Sequence, residues 1–207
     1  MPRYDAVGFD LLTALLDTWT LWRRVAGDGE LGLRWHGASQ ALLRGRPYRP
    51  FEEIVRDAAR EVGLQPDRAD ELLGRWGEFE PWPDVPEVLP QVASYPRFIV
   101  TNCSRRLGAL AASRVGAPFD LVMTAEEAGA YKPDPAPYLA ALQRLELAPS
   151  RVLFVAGSAH DVGGASRLGM DVYWANRGAV ALPPGPAPLA NEPGLGALRA
   201  ALAEPPL

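Results

Sequence analysis

Apolar positions along this chain keep two rhythms, and the change from one to the other divides it. The opening stretch YDAVGFDLLTALL runs apolar through Val7 and Phe9 to Asp10, beyond which a further apolar stretch begins. This predicts a short buried strand with a carboxylate at its carboxyl end. From there to about Glu80 strand alternation is absent. Leu15, Leu16, Trp19, Trp22 and Val25 recur at helical spacings until Gly27 to Gly29 break the run, and Glu30 to Arg44 predict a second helix that stops before Pro47 and Pro50. Phe51, Ile54, Val55, Ala58, Ala59 and Val62 lie on one face of a third helix ended at Gly63, and Pro66 with Asp67 starts a fourth carrying Leu72, Leu73 and Trp76.

The segment EPWPDVPEVLP, from Glu80 to Pro90, holds four prolines in eleven residues and reads as a stiff return linker. Strand signals resume beyond it: Phe98 to Val100, Leu121 to Met123, Val152 to Val155 and Val172 to Trp174, with helices expected over Arg105 to Val115, Pro135 to Glu146 and His160 to Leu168. Ala179 to Pro193 reads as surface coil before a last short helix. Strand and helix alternate without a hairpin signal, which argues for a parallel sheet wrapped by crossover helices. The expected fold is therefore α/β, a Rossmann-like parallel-sheet core over residues 1–15 and 88–207, with a helical cap inserted over 16–87.

In a parallel sheet the carboxyl ends of the strands share one edge, where open α/β folds keep their ligand crevice. Asp10, Thr101 with Asn102, the region after Thr124 with Lys132, and Ser158 to Asp161 should converge there, and the helical insert can fold over them as a lid. Asp10 is the candidate nucleophile, and an ammonium beside it would hold it ionised. Asp161 can share that ammonium and take a proton from water. The structural alternative for Lys132 and Asp161 is a plain ion pair.

Composition narrows the chemistry. Of 21 basic residues only Lys132 is a lysine, so a compact ammonium is kept at one place in a chain that otherwise uses the broader guanidinium. A net charge of −4 with Arg scattered among acids leaves no basic stripe for nucleic acid. No apolar run reaches the roughly 18 residues of a membrane span, and the acidic N-terminal stretch is unlike a signal peptide, so a cytoplasmic protein is expected. Cys103 is the only cysteine, which excludes an intrachain disulfide, and as a nucleophile it would need His36 or His160, the only histidines.

FDLLTALLD, IVTN, YKPDPAPY and LFVAGSAHDVGGASRLGM together resemble the haloacid dehalogenase superfamily, and most closely its L-2-haloacid dehalogenase branch. The resemblance implies an Asp10 ester intermediate cleaved by water with Lys132 and Asp161, a small carboxylate substrate bearing a good leaving group, no metal cofactor, and a homodimer as the common assembly. It assigns Thr101 to the substrate carboxylate and Asn102 to the halide, with Leu12, Tyr138 and Ser158 around the substrate. A cap arginine should take the departing halide: Arg34 is the first candidate, ahead of Arg44, Arg46 and Arg49. His160 stands where the dehalogenases have Trp and is expected to be a bystander.

Two positions speak against the magnesium phosphatases of the superfamily: Leu12 stands where they carry an acid for the leaving alkoxide, and Gly157 where they carry a metal-binding carboxylate. Other departures count against a full dehalogenase. Thr13-Ala14 replaces Gly-Thr, so a hydroxyl that positions the nucleophile is missing or displaced by one residue, and Ala156 and Ser158 replace Ser and Asn. A magnesium phosphatase using Asp10 and Asp161, and a non-catalytic binding protein of the same fold, are the alternatives.

Overall fold

The computed structural model describes residues 3–44, 47–182 and 184–203. The chain opens with β1 (Ala6–Phe9) and leaves the core through β2 (Leu16–Asp17). Four helices follow, α1 (Thr18–Ala26), α2 (Gly29–Leu42), α3 (Phe51–Glu61) and α4 (Pro66–Gly74), before the chain returns through β3 (Glu80–Pro81). β2 and β3 pair antiparallel, Leu16 opposite Pro81, and form a two-stranded ribbon at the foot of the helical insert. The insert has its own aromatic centre, in which Trp22 meets Trp35 edge to face at 4.7 Å and Trp76 lies between Phe51 and Phe79. Trp35 spends its indole N–H on the Val55 carbonyl, so its burial leaves no polar atom stranded.

The proline-rich return does not run as a bare linker. It contains α5 (Val85–Val88) and a 3₁₀ turn over Leu89–Val92, with Val85 and Leu89 almost wholly buried. Pro86 and Pro90 sit in the first turns of these helices, where a missing N–H costs nothing because no partner is available there anyway. The rest alternates: β4 (Arg97–Thr101), α6 (Arg105–Arg114), β5 (Leu121–Thr124), α7 (Ala125–Ala128), α8 (Pro135–Arg144), β6 (Val152–Ala156), α9 (Ala159–Ser166), β7 (Asp171–Ala175), β8 (Ala190–Glu192) and α10 (Leu198–Ala203). β8 falls within the stretch expected to be coil. Its Ala-Asn-Glu sequence has no β-branched or aromatic residue to announce it, and the strand is an edge element paired only with β7.

The six-stranded sheet has the order β5-β4-β1-β6-β7-β8, and every pairing is parallel. Alternate residues feed two cores, because the side-chain period of a strand is two. Val7, Phe9, Ile99, Leu153 and Val155 face one side, and Phe98, Val100, Phe154 and Trp174 face the other. In register, Phe9 lies beside Ile99 and Val155. The residues just past these strands therefore emerge together at one edge. No helix among the described residues is long and apolar enough to cross a membrane.

Candidate active site

Asp10 stands one residue past the central strand, with its backbone N–H still donating to the Val155 carbonyl at 2.9 Å. That bond fixes where the carboxylate leaves the sheet. Its Oδ2 accepts from the Thr13 hydroxyl at 2.9 Å and from the Thr13 and Ala14 backbone N–H groups at 3.3 and 3.4 Å; its Oδ1 accepts from Lys132 Nζ at 2.8 Å. Burial pushes this carboxyl up, but the Lys132 ammonium and the Thr13 hydrogen bonds outweigh it, so Asp10 is held below the ordinary carboxylate range. The hydroxyl that the first motif was expected to lack or displace is displaced: Thr13 delivers it from one position earlier.

Lys132 lies in the loop between α7 and α8, and Asn102 sets its backbone. The Asn102 side chain accepts from the Lys132 N–H at 2.7 Å and donates to the Lys132 carbonyl at 3.1 Å. Lys132 Nζ then bridges Asp10 and Asp161, donating to Asp161 Oδ2 at 3.1 Å. Asp161 sits in the first turn of α9, where Ser158 caps the helix by accepting from the Asp161 N–H and the Ser158 hydroxyl donates back to its carboxylate at 3.2 Å. The Tyr138 hydroxyl donates to Asp161 Oδ1 at 2.6 Å. Burial raises the Asp161 carboxyl, and the Asp10 charge raises it further against the pull of Lys132. Burial lowers Lys132, but the two carboxylates more than reverse this and keep it cationic. One ammonium between two unequal carboxylates thus leaves Asp10 ionised and Asp161 the better proton acceptor.

Lys132 places one positive charge between the two carboxylates, and position 157 has no room for a third. A Cβ there would lie 2.3 Å from Thr13 Oγ1, 2.4 Å from the Ala14 nitrogen and 2.6 Å from Asp10 Oδ2. Gly157 is what lets the 13–14 turn close on Asp10. Among the described residues no group of three or more His, Cys, Asp or Glu is arranged to hold a metal ion.

Above this floor lies a cavity of about 170 Å³, lined from the core by Asp10, Leu12, Asn102, Lys132 and Ser158 and from the insert by His36, Gln40 and Arg44. Arg34 is not among them. On α2 the buried face carries Trp35 and Ser39, and Arg34 points to solvent two positions from His36, about 200° around the helix. Arg44, in the turn just past the end of α2, lines the cavity and is the cap arginine at the site. Arg49 is engaged by Asp57 and Glu53, and Arg46 lies outside the described residues. Thr101 is also corrected: it is fully buried, its hydroxyl directed at Cys103 Sγ 3.6 Å away, and it does not line the cavity. As the last residue of β4 it points into the sheet's packing, whereas Asn102, one residue on, faces the cavity. Tyr138 acts behind the wall through Asp161. His160 does line the cavity, at its exposed rim. Cys103 is buried, which pushes its thiol up to about 12 and makes it inert as a nucleophile. Gln40 went unnoticed in sequence and His36 was weighed only as a partner for Cys103, although the two lie four residues apart beside the buried stripe.

The family model of the haloacid dehalogenase-like hydrolases matches residues 9–169, a span that holds Asp10, the helical insert, Lys132 and Asp161. The chain belongs to this family. Among relatives of these haloacid dehalogenase-like hydrolases, it is 33% identical over 197 residues to (S)-2-haloacid dehalogenase 1 of Pseudomonas sp. (strain CBS-3), with 86% of each chain covered. It is 30% identical over 187 residues to a phosphoserine phosphatase of Thermus thermophilus, covering 86% of this chain and 68% of that one. A solved dehalogenase with an intermediate complex matches with a TM-score of 0.84 at 25% identity, over 99% of this chain and 100% of that one.

Proposed function

We propose that this hydrolase cleaves the carbon–halogen bond of a small 2-haloacid through a covalent ester on Asp10, without a metal. The observation that carries the reading is the placement of Lys132 Nζ, 2.8 Å from Asp10 and 3.1 Å from Asp161. It supplies the positive charge that a cation would otherwise bring. Without a divalent ion a phosphate dianion would meet two carboxylates with one ammonium between them, whereas a monoanionic acid brings half that charge.

A carboxylate oxygen of Asp10 attacks the carbon bearing the halogen, and the carbon–halogen bond breaks with its electron pair leaving as halide toward Arg44. Leu12 fits this step, because halide departs without a proton. Water then attacks the Asp10 carbonyl carbon while Asp161 accepts its proton, and the ester opens to the 2-hydroxyacid and a regenerated Asp10. The Thr13 and Ala14 N–H groups and the Thr13 hydroxyl lie on the oxygen that bears the tetrahedral charge.

The test is halide release from racemic 2-chloropropionate in EDTA, with a single-turnover reaction in ¹⁸O water. Halide release that disappears in Asp10→Asn, with label entering Asp10 before the product, is expected. Phosphate release from an aryl phosphate only with magnesium, and no halide, would overturn it. Cytoplasmic residence and a homodimer belong to the same proposal, and fractionation and sedimentation test them.

A further inference from the structure

The cap wall of the cavity is polar, and its polar groups are unspent. His36, Gln40 and Arg44 rise at four-residue intervals on one stripe of α2 and the turn beyond it. Neither ring nitrogen of His36 nor the amide of Gln40 has a hydrogen-bond partner among the described residues. The imidazole is not loose: its ring packs edge to face on Trp22, with centroids 5.2 Å apart at 84°. Trp22 is in turn locked against Trp35 and Trp76, so the helix presents His36 in a fixed pose.

An alkyl substituent laid against this wall would strip water from an imidazole and an amide and return no hydrogen bond. A site of that kind discriminates strongly against the analogue that lacks the polar group. A second carboxylate is a poor match too, since Arg44 is the one cation this wall offers among the described residues and Asp10 and Asp161 lie on the floor. Burial keeps His36 neutral, so it offers one donor and one acceptor, and the Gln40 amide offers both as well. The substituent that satisfies such a pair is a hydroxyl.

We propose that the substrate is a short 2-haloacid bearing a hydroxyl on the carbon next to the halogenated one, and that His36 and Gln40 bind that hydroxyl. This rests on the dehalogenase reading. The reaction is otherwise unchanged: the carbon–halogen bond breaks, halide leaves with the electron pair, water supplies the oxygen that restores Asp10, and one proton goes to solvent, giving a 2,3-dihydroxyacid.

The test compares 2-chloro-3-hydroxypropionate with 2-chlorobutyrate, which differ only by hydroxyl for methyl, and with 2-chloropropionate as the reference for the reaction itself. Asp10→Asn is the blank for spontaneous closure of the chlorohydrin. Wild-type kcat/KM should favour the hydroxylated acid over 2-chlorobutyrate by at least about tenfold, and His36→Phe and Gln40→Leu should each shrink that ratio. A wild-type ratio of one or below overturns the proposal and leaves the dehalogenase reading intact, as does a preference that both variants retain. No halide from any of the three acids overturns the dehalogenase reading and this proposal with it.

Discussion

The two walls of the cavity are built on opposite plans. On the core wall, the carboxylate of Asp10 is held at both oxygens, Lys132 is shared between two carboxylates, and the Asn102 side chain is spent at both ends on the backbone of Lys132. On the cap wall, His36 and Gln40 keep their hydrogen-bonding capacity open. A wall whose groups are mutually satisfied is preorganised and can carry the bond-making steps. A wall with open groups is completed only by the ligand, and so it selects. Chemistry and selectivity are therefore separable here by side of the cavity, and each change below presses on that separation.

Lys132→Ala should have the largest effect. It leaves Asp10 and Asp161 buried together with no cation, and removing one partner of a buried ionic group costs about 3–5 kcal/mol. Turnover should fall by at least about a thousandfold, and thermal unfolding should show stability returning as pH falls and the carboxylates protonate. A variant that keeps its stability would mean the core wall is not the rigid partner. Gly157→Ala comes next. The added methyl meets the Ala14 backbone as well as Thr13, so overpacking of about 1–3 kcal/mol is expected, with kcat falling more than KM changes because the displaced group is Asp10. Thr13→Ala in the same chain should not restore it, since the Ala14 nitrogen would still lie 2.4 Å from the new Cβ.

On the cap wall the expected signature is a pH effect on stability. Burial pushes His36 from 6.5 down to about 4, against a smaller upward pull from Asp10. The unfolded chain then binds a proton at pH values where the folded one does not, so stability rises with pH between about 4 and 6.5 and is level above. His36→Gln should remove a pH-dependent difference reaching about 3 kcal/mol at the acid end, read as the gap between the two proteins' denaturation midpoints. A gap constant with pH would show that His36 is as solvated in the folded chain as in the unfolded one, so that only a ligand could desolvate it.

The contrast between walls also explains what could be read from sequence. The core strands are short β-branched and aromatic runs, and topology alone brings the residues after them to one edge, so Asp10, Asn102, Lys132 and Ser158 with Asp161 were legible as a group. Thr101 was not, because a one-residue step at a strand end turns a side chain from the cavity into the sheet. The cap wall was harder. Gly29, Gly32 and Gly37 blur the apolar period of α2, and the resemblance put Arg34 ahead of Arg44, although only Arg44 of the two lines the cavity. Trp35 and Ser39 mark the buried face, and reading one position outward from each would have found His36 and Gln40. β8 left no hydrophobic signal at all.

The smallest effect tests how the core wall is held from behind. The turn that grips Asp10 Oδ2 is itself gripped through its carbonyls: the Trp82 indole N–H donates to the Thr13 carbonyl at 3.0 Å and Arg177 Nη2 to the Ala14 carbonyl at 3.1 Å. Arg177 lies over the Trp82 ring at 5.1 Å and pairs with Asp84 at 2.9 Å. These residues come from the return segment of the insert and from the stretch after β7, and none of them lines the cavity. Trp82→Phe keeps a ring beneath Arg177 and deletes one hydrogen bond, so stability should fall by about 1 kcal/mol. If the turn is positioned through its carbonyls, kcat should drop severalfold while KM and the hydroxyl preference stay put, because the bond touches the chemical wall and not the selective one. A change in substrate preference with kcat unaltered would show that the two walls are coupled through the return segment.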